Sequence, residues 1–158
     1  RMKRIEANDP AAICMMGFIR FNEGDYQGAF DYFTKAAELV NSADAHYKLS
    51  LLYYEGKGVE KDTKKEVYHL ERAAIGGNPD ARYDLGIAEW HKCRHARAVK
   101  HFIIAAKLGH DDSLRALKDF YRKGLVSKED FAAALRGHQA AVDATKSPQR
   151  EMAFSEKI

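Results

Sequence analysis

A chain of 158 residues with 46% hydrophobic and 31% charged side chains is long enough to bury a sizeable core in one domain. Its net charge of +3 arises from Lys and Arg interspersed with Asp and Glu, not gathered in a block, which argues against a nucleic-acid partner. No apolar run approaches the ~18 residues of a membrane span, the longest being Phe102 to Ala106, and no hydrophobic stretch follows the basic start Arg1-Met2-Lys3-Arg4 as a secretory signal requires.

The first predicted unit runs from Asn8 to about Val40. Asp9-Pro10 reads as a helix N-cap followed by proline at the first helical position. That helix carries Ala12, Met16, Gly17 and Phe21 until Asn22-Glu23-Gly24-Asp25 breaks it. A second helix from about Tyr26 places Ala29, Phe30, Phe33, Ala36 and Ala37 on one stripe at helical spacing. The next pair opens at Ser42-Ala43-Asp44 with Ala45, Leu49, Leu52 and Tyr53. A longer break from Glu55 to Asp62 follows, and then a helix with Val67, Leu70, Ala73 and Ala74. Asn78-Pro79-Asp80 starts a third pair with Ala81, Leu85 and Gly86, which turns near Lys92-Cys93-Arg94 and returns through Ala98, Phe102, Ala105 and Ala106. The fourth is degenerate, with Ser113, Leu117 and Tyr121. Ser127-Lys128-Glu129-Asp130 then caps a long helix through roughly Ala144, whose Phe131, Leu135 and Val142 are expected to cover the last open face. From Lys146 the chain turns polar around Ser147-Pro148, and its last ten or so residues read as frayed or as a loosely held helix.

The opening positions Ala12, Ala45, Ala81 and Ser113 are separated by 33, 36 and 32 residues, the period of a helical repeat array. Each of the first three copies closes with an Ala-Ala pair, at Ala36-Ala37, Ala73-Ala74 and Ala105-Ala106. A unit this short cannot bury its apolar face alone, so neighbours must stack. The expected fold is therefore all-α: an α/α superhelical solenoid of about four helix-turn-helix repeats over residues 8–145 with a C-terminal capping helix, followed by a polar tail over 146–158. Small residues at Gly17, Gly86 and the Ala-Ala pairs let helices approach, while Leu85, Phe33 and Phe102 fill the spaces between them. Gly24, Gly76 and Gly109 suit the left-handed position that ends a helix.

The second repeat reads Ala45-x-x-x-Leu49-Ser50-x-x-Tyr53, then Gly56-x-Gly58-Val59-x-x-Asp62, then Ala73-Ala74-x-Gly76. It resembles the Sel1-like repeat, and across the copies the resemblance covers about Asp9 to Gly124. Repeats one and three lack the Gly-x-Gly-Val-x-x-Asp insertion and resemble the architecturally related tetratricopeptide repeat, as at Gly24-Asp25-Tyr26 with Ala29, Phe33 and Ala36. The stretch from Val126 to Arg150 resembles the ending of an algal subgroup often fused to a zinc-binding RING-type domain.

The resemblance implies a non-catalytic scaffold or adaptor in which the first helix of each repeat lines a concave surface for a protein or peptide partner. Carried over residue by residue, the groove candidates are Cys14, Phe18, Phe21 and Asn22 from repeat one and Tyr47, Lys48, Leu51, Tyr54 and Glu55 from repeat two. Repeat three supplies Tyr83, Asp84, Ile87, Trp90 and His91, and repeat four Arg115, Arg122 and Lys123. Such a groove is aromatic in the middle and basic at its C-terminal end, suited to a peptide with an acidic end. Each aromatic also has a packing reading, against the next repeat, which applies with equal force to Tyr54 and Trp90. The alternatives are the substrate-recruiting region of a ubiquitin ligase whose RING-type domain precedes Arg1, and a structural subunit of a larger complex. A start at Arg1 instead of Met reads as a fragment of something longer.

No catalytic constellation is expected, and no cofactor or metal. His91-x-Cys93-x-His95 is the one cluster with ligand types at alternate positions, but it lacks a Cys-x-x-Cys partner and straddles a turn. Gly56-Lys57-Gly58 follows no strand and lacks phosphate-loop spacing. Cys14 and Cys93 lie in different repeats, so two free thiols and a reducing, cytoplasmic compartment are expected.

Overall fold

Each break in the hydrophobic stripe becomes a helix boundary in the computed structural model, which describes the backbone of residues 9–156 and the side chains of residues 9–146. The helices are α1 (Pro10–Asn22), α2 (Tyr26–Val40), α3 (Ala43–Glu55), α4 (Thr63–Ile75), α5 (Pro79–His91), α6 (His95–Lys107), α7 (Asp111–Arg122) and α8 (Lys128–Glu156). No strand occurs among the described residues, so the expected all-α class of repeated helix pairs holds. The starts are fixed by side chains that take over orphaned backbone donors. Asp9 accepts from Ala11 N at 3.1 Å, Asp25 from Gly28 N at 3.0 Å, Ser42 from Ala45 N at 3.3 Å, Asp62 from Lys65 N at 3.1 Å and Asn78 from Ala81 N at 2.9 Å. Ser127 caps α8 through Asp130 N at 3.1 Å, and at α7 the cap is an imidazole, His110 Nδ1 accepting from Ser113 N at 3.1 Å.

The chain divides into two compact units, Arg1–Ala81 and Arg82–Ile158, with the boundary inside α5. In the first unit Ile13, Ala29, Phe33, Ala36, Ala45, Leu49 and Leu52 form one buried cluster. Phe33 lies over Gly17, where an added Cβ would sit 2.7 Å from the ring, so the helices can close only because that side chain is absent. In the second unit Phe102 uses Gly86 in the same way, at 2.8 Å. Repeat two has Leu70 in the ring's slot and tolerates Ser50 in the glycine's, its hydroxyl donating to the Tyr47 carbonyl at 2.6 Å. The second unit's core joins Ala98, Val99, Phe102, Ala106, Leu117, Phe120, Val126 and Ala134.

Three expectations change in detail. The left-handed residue after α4 is Gly77 (φ 91°), because Gly76 stays near helical geometry as the cap at φ −74°. Among the described residues of α8 the buried one is Ala134 and Leu135 is 37% exposed, whereas Phe131 packs against the second unit's core as expected, stacking on Tyr121 at 4.7 Å, and Val142 is half-buried. A small residue is what lets α8 lie close to its unit. Helix α8 also continues past Ala144 to Glu156, so the polar 146–158 segment is helical over most of its length. Arg1 to Asn8 lie outside the described residues.

The insertion loop of repeat two has its own reason for glycine. Gly58 adopts φ 72°, and a Cβ there would come within 2.6 Å of the Tyr26 carbonyl. Both the backbone conformation and the close approach to the start of α2 therefore require glycine.

Candidate functional site

Helix α1 places Phe18 and Phe21 one turn apart, and α3 brings Lys48 to both of them. The Lys48 ammonium lies 5.6 Å from the Phe18 ring centre and 4.8 Å from that of Phe21, within cation–π reach. Phe18 meets Phe33 edge-on at 5.2 Å and Phe21 meets Tyr26 edge-on at 5.4 Å, so the rings are anchored on one side. Tyr47, Lys48 and Leu51 are half-buried and Asn22 is exposed. Tyr54, at the end of α3, is 64% exposed. Glu55 pairs with Lys57 at 2.8 Å, and the hydrogen bond that the Lys57 ammonium donates to this carboxylate raises the Lys57 pKa. Cys14 is half-buried; burial pushes its thiol pKa up against a hydrogen bond with Ser42, the opposite of what a reactive thiolate needs.

The second unit's candidates are held differently. Tyr83 packs on Phe102 at 5.6 Å and on His110 at 4.8 Å. Trp90 lies stacked between Phe120 at 4.5 Å and His95 at 4.0 Å, and Ile87 packs against the same core. Asp84 is half-buried and His91 exposed. Arg115 pairs with Asp112 at 2.6 Å and Lys123 with Asp119 at 3.1 Å, each within one helical turn, and Arg122 is exposed. Cys93 occupies the turn with φ 58°, and among the described residues no three metal-ligating side chains converge.

One cluster escaped the sequence reading. His46 on α3 and His69 on α4 meet Nδ1 to Nδ1 at 2.8 Å, and His46 Nε2 lies 2.8 Å from Asn41 Oδ1. Because the amide presents its oxygen, His46 Nε2 donates, so in the neutral pair His46 Nδ1 accepts from His69 Nδ1–H. The signal lay in the repeat register: the same two slots in repeat three hold Arg82 and His101, whose Nη1 and Nδ1 are 3.4 Å apart. Burial, then His46, then Lys65 depress the His69 pKa to about 4, and burial followed by Arg72 lowers that of His46. His101 is lowered in turn by burial and Arg82, against Glu89.

Stability should therefore fall on acidification. An unfolded His69 takes its proton near pH 6.5 and the folded one near 4, so the unfolded chain binds more protons in that window. The contribution is present above about pH 6.5 and lost towards pH 4, amounting to about 1–2 kcal/mol after discounting for solvent at the half-buried ring. Urea denaturation of wild type and His69→Gln across this range should show a steeper pH slope for wild type. Equal slopes would mean that the pair does not resist protonation.

The Sel1 repeat model matches residues 10–41, 43–78 and 95–110, so repeat one, with its tetratricopeptide-like turn, falls under the same model as repeat two. The crystal structure of a Sel1 repeat protein from Oxalobacter formigenes superposes with a TM-score of 0.69 at 26% identity, covering 90% of this chain and 61% of that one. An uncharacterized protein of Neisseria meningitidis serogroup B is 29% identical over 73% of this chain and 32% of its own length. The DAP3-binding cell death enhancer 1 of Mus musculus is 27% identical over 86% of this chain and 34% of its own length. The chain thus spans about a third of the length of these curated relatives. With the matched repeats covering more than half of its residues, the chain belongs to the Sel1 repeat family.

Proposed function

We propose that the chain is a non-catalytic adaptor that holds a protein or peptide partner on the face carried by the first helices of its repeats. Sel1 repeat proteins are in general protein-interaction scaffolds, and the similar mouse protein is named for binding DAP3. The observation that carries the reading is the Lys48 ammonium poised over Phe18 and Phe21, which joins repeats one and two in a single aromatic and cationic patch. With Tyr47, Leu51 and the exposed Tyr54 beside them on α3, these groups offer apolar anchors and a positive charge to an acidic, partly apolar segment. Tyr83, Ile87 and Trp90 lie against the second unit's core as Phe18 and Phe21 lie against the first's, and what favours the first unit is Tyr54, an aromatic that keeps 64% of its surface exposed.

The test is affinity capture with wild type and with Lys48→Ala/Tyr54→Ala, both checked for equal helicity and melting. Loss of a captured partner by the folded variant, about tenfold or more, supports the first-helix face, since anchors of this kind cost more than ~1 kcal/mol each when truncated. A partner kept equally by both overturns it.

A further inference from the structure

Helix α3 has a second face. At about 100° per residue, His46, Leu49 and Tyr53 lie roughly 150° around the helix from Tyr47, Lys48, Leu51 and Tyr54. They form the floor of a cleft of about 440 Å³ whose sides come from α2 and α4. That volume falls within the ~300–1,000 Å³ of ligand pockets.

The walls are largely aromatic. Phe30 meets Tyr53 edge-on at 5.7 Å, Tyr53 lies parallel to His69 at 5.6 Å, and Tyr68 keeps 50% of its surface exposed. An exposed ring beside other rings offers a face on which a further ring can stack. The hydrogen bonds from Asn41 through His46 to His69 tie the end of α2 to α3 and α4, which fixes the floor's shape.

Two polar groups bear on what the cleft can hold. Thr34 lines the cleft, and its Oγ1 is buried with no hydrogen-bond partner among the described residues. The Arg72 guanidinium lies 5.5 Å from the Tyr68 ring centre and forms no ion pair among the described residues. A guanidinium can stack on a ring and still fork to a carboxylate. Lys65 supplies a second cation, 5.7 Å over Tyr53, also from α4. Glu38, on α2, lines the same cleft and repels a doubly charged phosphate more than a singly charged carboxylate.

We propose that this cleft is a second binding site, for an aromatic peptide side chain with a carboxylate beside it. The ring stacks on Tyr68 and the carboxylate forks to Arg72. The site shares no side chain with the first-helix face, so each stands or falls alone.

The test is an amide NMR titration of the full chain with N-acetyl-tryptophan. The controls are its amide (no carboxylate), N-acetyl-alanine (no ring) and adenosine monophosphate (a ring with a phosphate). Saturable shifts at residues 34, 41, 46 and 68–72 are expected for N-acetyl-tryptophan, with affinity about tenfold weaker for the amide and in Arg72→Gln. Both Arg72 and Tyr68 are exposed, so Arg72→Gln and Tyr68→Ala should keep the wild-type spectrum elsewhere, and Tyr68→Ala should abolish saturation. Equal affinity for acid and amide, tighter binding of the nucleotide, shifts confined to residues 18, 21, 47 and 48, or no shifts at the probe's solubility limit would each overturn the proposal.

Discussion

Phe102→Ala should destabilise the second unit by about 3–5 kcal/mol, read as the loss of unfolding free energy in urea. The ring is 1% exposed and sits in the cluster with Ala98, Ala106 and Leu117, with Tyr83 and Phe120 each 5.6 Å away. Truncation removes its transfer free energy and leaves a cavity, which the helices cannot easily collapse into because α5 and α6 already touch at Gly86. The same contact makes the effect non-additive. Gly86→Ala alone would thrust a methyl against three ring atoms between 2.8 and 3.1 Å away, whereas in the Phe102→Ala background that methyl partly fills the void. Gly86→Ala should therefore be clearly destabilising in wild type and near neutral, or favourable, in the variant. A Phe102→Ala loss below about 1 kcal/mol would place the ring outside the core.

Gly17→Val should cost about 2–3 kcal/mol in the first unit, at the upper part of the range for overpacking. The first atom added would stand 2.7, 2.8 and 3.1 Å from Cε1, Cδ1 and Cζ of Phe33, a ring with no exposed surface. A flexible side-chain tip could swing away, but a buried ring in a filled cluster cannot move without displacing Leu49 and Leu52. Phe33→Leu should relieve much of the clash, by analogy with repeat two, where Leu70 and Ser50 hold the same two slots. Thermal melts of the two single variants and the double variant would show this as a coupling term. If Gly17→Val melts like wild type, the α1–α2 packing described above is wrong.

These effects follow from positions whose size pattern was readable before any coordinates. Gly17 with Phe33 and Gly86 with Phe102 recur in register with the Ala-Ala pairs, so small against large across a helix contact could be inferred from spacing alone. The caps Asp9, Ser42, Asn78 and Ser127 were equally legible, because a helix start needs a local acceptor and only a few side chains supply one. His110 was not, since an imidazole is not among the usual caps. Nor was the choice of Ala134 over Leu135 on α8, because a sequence pattern without a partner surface does not say which residue meets a tight contact.

Among the binding candidates, the sequence period put Phe18, Phe21 and Lys48 on first helices, but their approach to within cation–π distance depends on how α1 and α3 pack. The same periodicity put Tyr83 and Trp90 in analogous slots, where their rings turn to their own core, on Phe102, His110 and Phe120. The His46–His69 pair is 23 residues apart in sequence and on different helices, so it exists only once α3 and α4 are side by side.

The chain's helix boundaries, repeat register and small-to-large packing were determined by the sequence itself, because hydrophobic period, capping chemistry and backbone freedom act within a few residues of each other. Which aromatic faces stay open, which histidines share a proton and where a cleft forms were decided only by tertiary packing, because each depends on the distance between side chains that the chain order keeps far apart.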